Sequence, residues 1–203
     1  MKLYNSIGPN PHMVRMFIAE KGLNIPVEDI DIMAGANRQG DFLKVNPQGQ
    51  CPALITDSGV LVSEVTVICE YLEELNPTPS LIGGTAAERA ETRMWARRVD
   101  INICEPMANG FRYGEGLKLF ESRMRCLPEA SDGLKALAQD GLATLDGQMA
   151  GRKWVCGDRF SMADILLFSW TNFFSGAGQP MNPDLKNIAT WFERAKARPS
   201  ASA

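Results

Sequence analysis

The sequence predicts two domains: an α+β domain over residues 1–77 and an all-α helical domain over residues 87–203, joined by a linker at 78–86. Before residue 78, short apolar segments alternate with helix-like ones, and β-branched residues, glycine and proline are frequent. Beyond it, the chain is rich in Ala, Leu, Met and Arg and has helical periodicity nearly to residue 203. The stretch 76–84 at this junction contains two prolines and a glycine pair, which is typical of a linker.

The first domain begins with a strand, Lys2–Asn5, followed by a helix. Asn10 is expected to be the N-cap of that helix and Pro11 its first residue, because these residue types favour those positions. Gly22 should end it. A second strand over 27–32 then leads into a glycine-rich stretch with a short helix.

The run 46–54 is the most informative part of the chain, because it places a turn, a proline and a strand start together. Pro52 cannot donate a hydrogen bond to a β-ladder, so its place before an apolar strand needs a reason. One reason is a cis peptide bond after Cys51, which would turn the backbone N–H and C=O of that residue outward to pair with an extended peptide. The alternative is a turn leading into an edge strand.

A hairpin and a helix follow this run. Two short apolar strands, 54–56 and 60–62, flank the turn residues 57–59. Ser63 is expected to cap the next helix, with Glu64 in its first turn, where the helix dipole favours a negative charge. The order predicted for the first domain is therefore β-α-β, a short helix, then β-β-α.

The second domain should consist of four helices. The first runs from about Ala86 to about Phe111, and Pro106 should bend it. A second spans roughly residues 129–150. A third begins at the capping box Ser161 to Asp164 and is apolar on nearly every side, which indicates a buried central helix. A fourth, over about 185–192, should pack on it.

The composition disfavours several kinds of site and function, since the chain has five cysteines, a single histidine and a net charge of −3. An odd cysteine count without a C-x-x-C pair disfavours a disulfide framework and a zinc site. His12, expected on the surface of its helix, leaves little for histidine-based hydrolysis. The chain has no basic stripe of the kind that indicates nucleic-acid binding. It also has no apolar run that approaches the length of a membrane span. Met1 leads directly into a strand, so we expect no secretory segment and a cytoplasmic protein.

The chain resembles the cytosolic glutathione S-transferase family. The thioredoxin-like order of elements, the run 46–54 and Glu64 at a helix start are similar to the family's first signature. The run 157–164 resembles its second, in the helical domain. The resemblance covers essentially the whole chain and implies the glutathione transferase fold, a thioredoxin-like domain followed by a helical one.

The resemblance also implies binding residues for the tripeptide glutathione. The backbone of Cys51, before Pro52, would pair with the cysteinyl unit, and Gln50 would face the glycine carboxylate. Glu64 would take the γ-glutamyl ammonium, unless it serves only the helix dipole. The family usually has serine next, whereas this chain has Val65, which keeps only a backbone N–H for the γ-glutamyl carboxylate.

The residue that contacts the thiol departs from the common pattern. The position of the catalytic serine in theta-like and zeta-like enzymes falls at Gly8. Tyr4 lies too early in its strand to match the catalytic tyrosine that is usual in the family. The Gly-Pro-Asn-Pro loop at 8–11 resembles the atypical bacterial nu class, in which an asparagine contacts the sulfur. It also resembles a fungal type, in which a water held by the helical domain does so. Asn10 is therefore the first catalytic candidate, and Ser6 comes after it.

At the end of the long helix, Phe111, Arg112 and Tyr113 are implied as the electrophile pocket, with Tyr113 also a candidate donor to the thiolate. The resemblance implies a homodimeric detoxification enzyme, without a metal, that conjugates its co-substrate glutathione to a small hydrophobic electrophile. Two alternatives stay open. One is a glutathione-dependent disulfide reductase or peroxidase; the other is a non-catalytic binding or dimerisation module, which the missing hydroxyl favours.

Overall fold

The computed structural model describes residues 1–203 as two compact units. One comprises Met1–Gly84 together with Pro199–Ala203, and the other comprises Thr85–Arg198. The first is α+β and the second is helical, which confirms the predicted fold class. The segment Pro199–Ala203 differs from the expectation, because it packs with the α+β unit and not with the helical one.

The α+β unit contains one four-stranded sheet in the order β2-β1-β3-β4. β1 pairs in parallel with β2 and antiparallel with β3, and β3 pairs antiparallel with β4. The predicted order of elements is confirmed, although β2 is shorter than expected. The elements are β1 Lys2–Asn5, α1 Pro9–Glu20, β2 Val27–Asp29, a 3₁₀ turn Ala36–Arg38, α2 Gly40–Val45, β3 Ala53–Ile55, β4 Leu61–Val62 and α3 Val65–Leu75.

The core of this unit lies where the two central strands meet α1 and α3. Leu3 and Leu54 are paired neighbours on β1 and β3, and both are fully buried. The inward face of α1 includes Phe17, and that of α3 includes Ile68 and Leu72, all fully buried. Burying side chains of this size stabilises the fold by about 1.5–3 kcal/mol each.

The segment after α3 is anchored by a buried ion pair. Lys21 Nζ lies 2.6 Å from a Glu73 carboxylate oxygen and also donates to the carbonyl of Pro79 at 2.6 Å. The other Glu73 oxygen accepts from the backbone N–H groups of Leu81 and Ile82, at 3.0 and 3.1 Å. The first part of the predicted linker is therefore fixed to the α+β unit, by contacts between residues far apart in sequence.

The second unit is a bundle of helices around α8, whose residues from Met162 to Thr171 are all buried. Its capping box is present as predicted, with both Ser161 and Asp164 taking part. The elements are α4 Ala86–Val99, a π-helical turn Asp100–Cys104, α5 Glu105–Tyr113, α6 Leu117–Phe120, a 3₁₀ turn Pro128–Ala130, α7 Ser131–Gln148, α8 Met162–Ser175, α9 Lys186–Lys196 and a 3₁₀ turn Pro199–Ser202, the last of which belongs to the α+β unit.

The predicted bend at Pro106 takes the form of the π-helical turn that separates α4 from α5. Pro106 has no N–H to donate to the carbonyl of Asn102, and the N–H of Glu105 bonds five residues back to Asp100. The freed Asn102 carbonyl faces Gly141 of α7, where a Cβ atom would lie only 2.3 Å from its oxygen. Glycine is therefore required at the contact of these helices.

Candidate functional site

Three loops of the α+β unit emerge at the same end of its sheet. Tyr4 is paired with Ala53 between antiparallel β1 and β3, so the residues after β1 lie beside those before β3. Leu54 is paired with Val62 between β3 and β4, so the residues after β4 reach that end as well. The register therefore brings together the Cys51-Pro52 segment and the starts of α1 and α3.

The start of α1 differs from the sequence prediction. Gly8, at φ 112°, is the N-cap, and the helix begins at Pro9, so the expectation that Asn10 caps it is wrong. Pro9 and Pro11 have no N–H group, and the N–H of His12 bonds to the Gly8 carbonyl. Among the first three helical residues, Asn10 therefore has the only backbone donor. Its half-buried side chain makes no capping hydrogen bond.

Ser6, the second catalytic candidate, is buried, and its hydroxyl donates to the carbonyl of Ile30 at 3.0 Å. Arg15 donates from one guanidinium nitrogen to Asn5 Oδ1 at 2.7 Å and to the Ser6 carbonyl at 3.1 Å. Asn5 in turn donates to an Asp29 oxygen at 2.6 Å. Ser6 and Asn5 are thus engaged in holding the loop. The sequence analysis missed Arg15, because its partners lie nine and ten residues earlier, on β1 and the loop after it.

The Cys51–Pro52 peptide bond is cis, which confirms the interpretation of the proline before β3. The backbone N–H and C=O of Cys51 have no partner within the chain. Two buried asparagines hold the preceding loop: Asn46 Nδ2 donates to the Gln50 carbonyl at 2.8 Å, and Asn37 Nδ2 to the Gly49 carbonyl at 2.7 Å. In the sequence, the proline turn directly after Asn46 could have indicated that this asparagine holds the loop. No local feature indicated the same role for Asn37. The Gln50 side chain is exposed.

The Cys51 thiol itself is a poor nucleophile. Burial raises the pKa of Cys51 to about 11, with no compensating charge nearby. A thiol with that pKa is almost entirely protonated near pH 7, and the thiolate is the reactive form. Cys51 therefore offers this site its backbone and not its sulfur.

The start of α3 is also uncapped by any side chain. Glu64, and not the predicted Ser63, occupies the N-cap position, and it has φ 67°, which is uncommon for a residue with a side chain. Its side chain is exposed. Val65 is the first helical residue, so its N–H has no partner in the helix. This helix start offers a carboxylate beside unpaired backbone donors.

The three residues predicted for an electrophile pocket lie at the end of α5, in the helical unit. The Phe111 ring packs edge-on against Phe120 and Phe174, with centroid distances of 6.3 and 5.6 Å. Arg112 donates to Asn109 at 3.0 Å, and its guanidinium lies 5.8 Å from the Phe120 ring centre. Tyr113 is half-buried beside them.

None of the predicted site residues lines either of two cavities in the molecule. One, of about 570 Å³, lies in the helical unit beside Trp95 and Leu137, and the other, of about 460 Å³, lies in the α+β unit beside Phe42.

No group of three or more His, Cys, Asp or Glu side chains is arranged to hold a metal ion. None of the helices combines the length and apolar character needed to cross a membrane.

Comparison with known proteins gives consistent matches over both units. The glutathione S-transferase N-terminal domain model matches residues 7–75, and the C-terminal domain model matches residues 128–194. Glutathione S-transferase 2 of Saccharomyces cerevisiae is 29% identical over 95% of this chain and 84% of its own length. A maleylacetoacetate isomerase of Pseudomonas aeruginosa is 31% identical over 82% of this chain and 78% of its own length.

A solved structure and another relative also match over nearly the whole chain. The crystal structure of Gtt2 from Saccharomyces cerevisiae superposes with a TM-score of 0.92 at 29% identity and covers 100% of this chain and 99% of its own. The disulfide-bond oxidoreductase YfcG of Escherichia coli is 25% identical over 98% of this chain and 91% of its own length.

Proposed function

Because the chain belongs to the glutathione S-transferase family, we propose that it is a glutathione transferase, which conjugates the glutathione sulfur to a small hydrophobic electrophile. The observation that carries this proposal is the meeting of three features at one sheet end: the unpaired backbone of Cys51 and the uncapped starts of α1 and α3. Helix starts favour negative charge, and glutathione carries two carboxylates and a thiol that must ionise.

The tripeptide would lie across this sheet end in an extended conformation. Its cysteinyl unit would exchange backbone hydrogen bonds with Cys51, next to Pro52, as an added strand does. Gln50 would donate to the glycine carboxylate. At the other end, Glu64 would take the γ-glutamyl ammonium, and the N–H of Val65 would donate to the γ-glutamyl carboxylate. Each charged end of the ligand then meets a partner of complementary character.

Asn10 would stabilise the thiolate. Lowering an ordinary thiol pKa of ~8.5 by about two units requires roughly 2.7 kcal/mol of preferential stabilisation of the ionised form. A hydrogen bond to a charged acceptor contributes about 1.5–3 kcal/mol, and a helix start about 0.3–1 kcal/mol. Asn10 has a side-chain amide and the only free backbone N–H of its turn, so one residue would supply both contributions.

In the reaction, the thiol proton would pass to solvent, and the thiolate would form a carbon–sulfur bond while the leaving group departs with its bonding electrons. The protein would contribute positioning and charge stabilisation. Phe111, Arg112 and Tyr113 are our candidates for contacts with the electrophile, and Tyr113 is the candidate second donor to the thiolate. We assign no metal to this chemistry.

We also propose that the protein acts as a homodimer in cytoplasmic detoxification. Support for the dimer comes from the helical unit, where Met94 of α4 and Ile101 of the π-helical turn after it are 41% and 45% exposed. Apolar side chains exposed together suit a contact with a second copy of the chain.

A glutathione-dependent disulfide reductase is the second candidate. It is favoured by the asparagine at the thiol position and by the relative named a disulfide-bond oxidoreductase. The raised pKa of Cys51 argues against a mixed disulfide at that residue, so any exchange would run between the thiolate of glutathione and the disulfide substrate.

The test compares two reactions of the wild-type protein with reduced glutathione, using an activated aryl chloride as electrophile and a small aliphatic disulfide as oxidant. Transferase function predicts thioether formation well above the uncatalysed rate, with disulfide exchange near it. The opposite ranking would support the reductase. Absence of both reactions, together with no binding of reduced or oxidised glutathione, would leave only a non-catalytic module.

A further inference from the structure

A short segment far along the chain is part of the α+β unit. The 3₁₀ turn Pro199–Ser202, called the strap below, packs on α1 and belongs to the same compact unit as residues 1–84. Ser200 within it is buried. The strap therefore contributes to the surroundings of the helix whose first turn carries Asn10.

Two hydrogen bonds attach the strap to α1. His12 Nε2 lies 3.1 Å from the carbonyl oxygen of Ala201, and the hydroxyl of Ser200 donates to the carboxylate of Glu20. His12, Met16 and Glu20 follow one another at four-residue intervals, so they form one stripe along the helix. Met16, in the middle of this stripe, is fully buried.

The hydrogen bond to Ala201 determines which ring nitrogen of His12 carries a proton. A carbonyl oxygen only accepts, so Nε2 of His12 must carry the proton. Burial lowers the pKa of His12 by more than the hydrogen bond to Ala201 raises it, and the charge of Arg15 lowers it further. The ring is therefore neutral near pH 7, and it serves as a donor to the strap.

His12 also closes the turn that contains Asn10. Its backbone N–H donates to the Gly8 carbonyl at 3.2 Å, so residues 8–12 form one hydrogen-bonded loop. This turn has no side-chain cap, and its two prolines provide no N–H. Besides this closure, Arg15 holds the Ser6 carbonyl on the preceding side, and the His12 side chain holds the strap.

We propose that the strap positions the turn that activates glutathione, with His12 as the positioning residue that connects the strap to Asn10. This inference rests on the proposed function, in which Asn10 contacts the sulfur. Displacing a group that must meet a reacting atom by about 1 Å can cost 10²-fold in rate. Glutathione itself would be held mainly by Cys51, Gln50 and Glu64, so loosening the strap should affect the thiol more than the binding.

The experiment measures the pKa of bound glutathione from its thiolate absorbance in His12→Leu, His12→Gln and Ser200→Ala. Leucine removes the donor to Ala201, whereas the glutamine amide restores one. We expect His12→Leu and Ser200→Ala to raise the thiol pKa by about half a unit to one unit, with the glutathione Kd changed less than about twofold. His12→Gln should stay close to wild type.

Two controls separate this role from others. Ser202→Ala removes a hydroxyl that donates only to Pro199 within the strap, and it should leave the thiol pKa unchanged. The double variant of His12→Leu and Ser200→Ala should show less than the sum of the single shifts, because both loosen the same contact. Should His12→Leu fail to fold, Ser200→Ala against Ser202→Ala carries the test.

The outcomes distinguish this inference from the function on which it rests. An unshifted thiol pKa in the wild type would refute the proposed function before any variant is compared. A lowered wild-type pKa that persists in folded His12→Leu and Ser200→Ala would overturn the positioning role alone. A His12→Gln variant as impaired as His12→Leu would also overturn it, because the ring would then act through more than its donor.

Discussion

Two helix starts of the helical unit contrast with two of the α+β unit. In the helical unit, α4 and α8 start with capping boxes, in which Thr85 pairs with Glu88 and Ser161 with Asp164. In the α+β unit, α1 and α3 start after residues with positive φ and without any side-chain cap. Capped starts use their N–H groups for stability, whereas uncapped starts leave donors available to a ligand. The starts of α4 and α8 therefore stabilise the fold, whereas the starts of α1 and α3 leave N–H groups that can bind a ligand.

The strongest way to break a capped start is Asp164→Ala. The buried carboxylate accepts from the backbone N–H groups of Val155 and Ser161, from the Ser161 hydroxyl and from the indole N–H of Trp191. Each buried donor left without a partner costs about 1–3 kcal/mol, so we expect a loss of about 4 kcal/mol or more in the free energy of unfolding. Urea unfolding measures it. The exposed neighbour variant Asp158→Ala is the control, and a loss below about 1 kcal/mol would contradict this assignment.

The same carboxylate predicts a pH dependence. Burial raises the pKa of Asp164 to about 6, despite the lowering effect of its donors. In the unfolded chain an aspartate titrates near ~3.9, so the folded state binds the proton more tightly. The stability contributed by protonation is complete below about pH 4 and is lost as the pH rises through about 6, by roughly 3 kcal/mol at most.

Asp164→Asn isolates that contribution, because asparagine does not titrate. We expect the unfolding free energy of the wild type, relative to this variant, to fall between about pH 4 and pH 6.5. A difference between the two proteins that is constant or rises over this range would contradict the direction of the shift.

A capped start at the surface should matter less. Thr85→Ala removes the side-chain acceptor for the Glu88 N–H at 3.2 Å, and such a loss costs about 1 kcal/mol. Thermal and urea unfolding should both detect the change, while the affinity for glutathione stays at the wild-type value. A variant with weakened glutathione binding would show that the two kinds of helix start are not separate.

At an uncapped start, substitution should weaken glutathione binding, whereas at the capped start of α4 it should lower only stability. Glu64→Gly relieves the positive φ, whereas Glu64→Ala keeps it, so the glycine variant should be the more stable by about 1 kcal/mol. Both should bind glutathione about tenfold more weakly, because both lack the carboxylate. Titration calorimetry and urea unfolding test the two effects. Equal stability of the two variants would argue that the backbone at Glu64 is not strained.

Much of the fold was predictable because its signals are local. Alternating apolar segments gave the element order, the proline before β3 indicated the cis bond after Cys51, and the capping box of α8 stands within four residues. Helix starts in the α+β unit were harder. The sequence Gly-Pro-Asn-Pro fits two cap positions, and only the backbone angle of Gly8, at φ 112°, selects the earlier one.

The parts that the sequence did not predict depend on distant contacts. The strap has no periodic pattern, and its attachment to His12 joins residues 189 positions apart. The role of Arg15 depends on side chains and carbonyls from β1 and its following loop. Likewise, Asn37 supports the loop before Cys51 from a separate turn. Such supports become visible only when the chain is folded, since no local propensity specifies them.

The most direct test of the central claim is a pH titration of the thiolate absorbance of bound glutathione in wild type and Asn10→Ala, with the exposed Asn24→Ala as control. We predict a wild-type thiol pKa about two units below that of free glutathione, a rise of one unit or more in Asn10→Ala, and no change in Asn24→Ala. Unfolding free energy should not fall in Asn10→Ala, because Asn10 caps nothing. Saturable binding with the same thiol pKa in wild type and Asn10→Ala would contradict the claim that the uncapped start of α1 activates the sulfur.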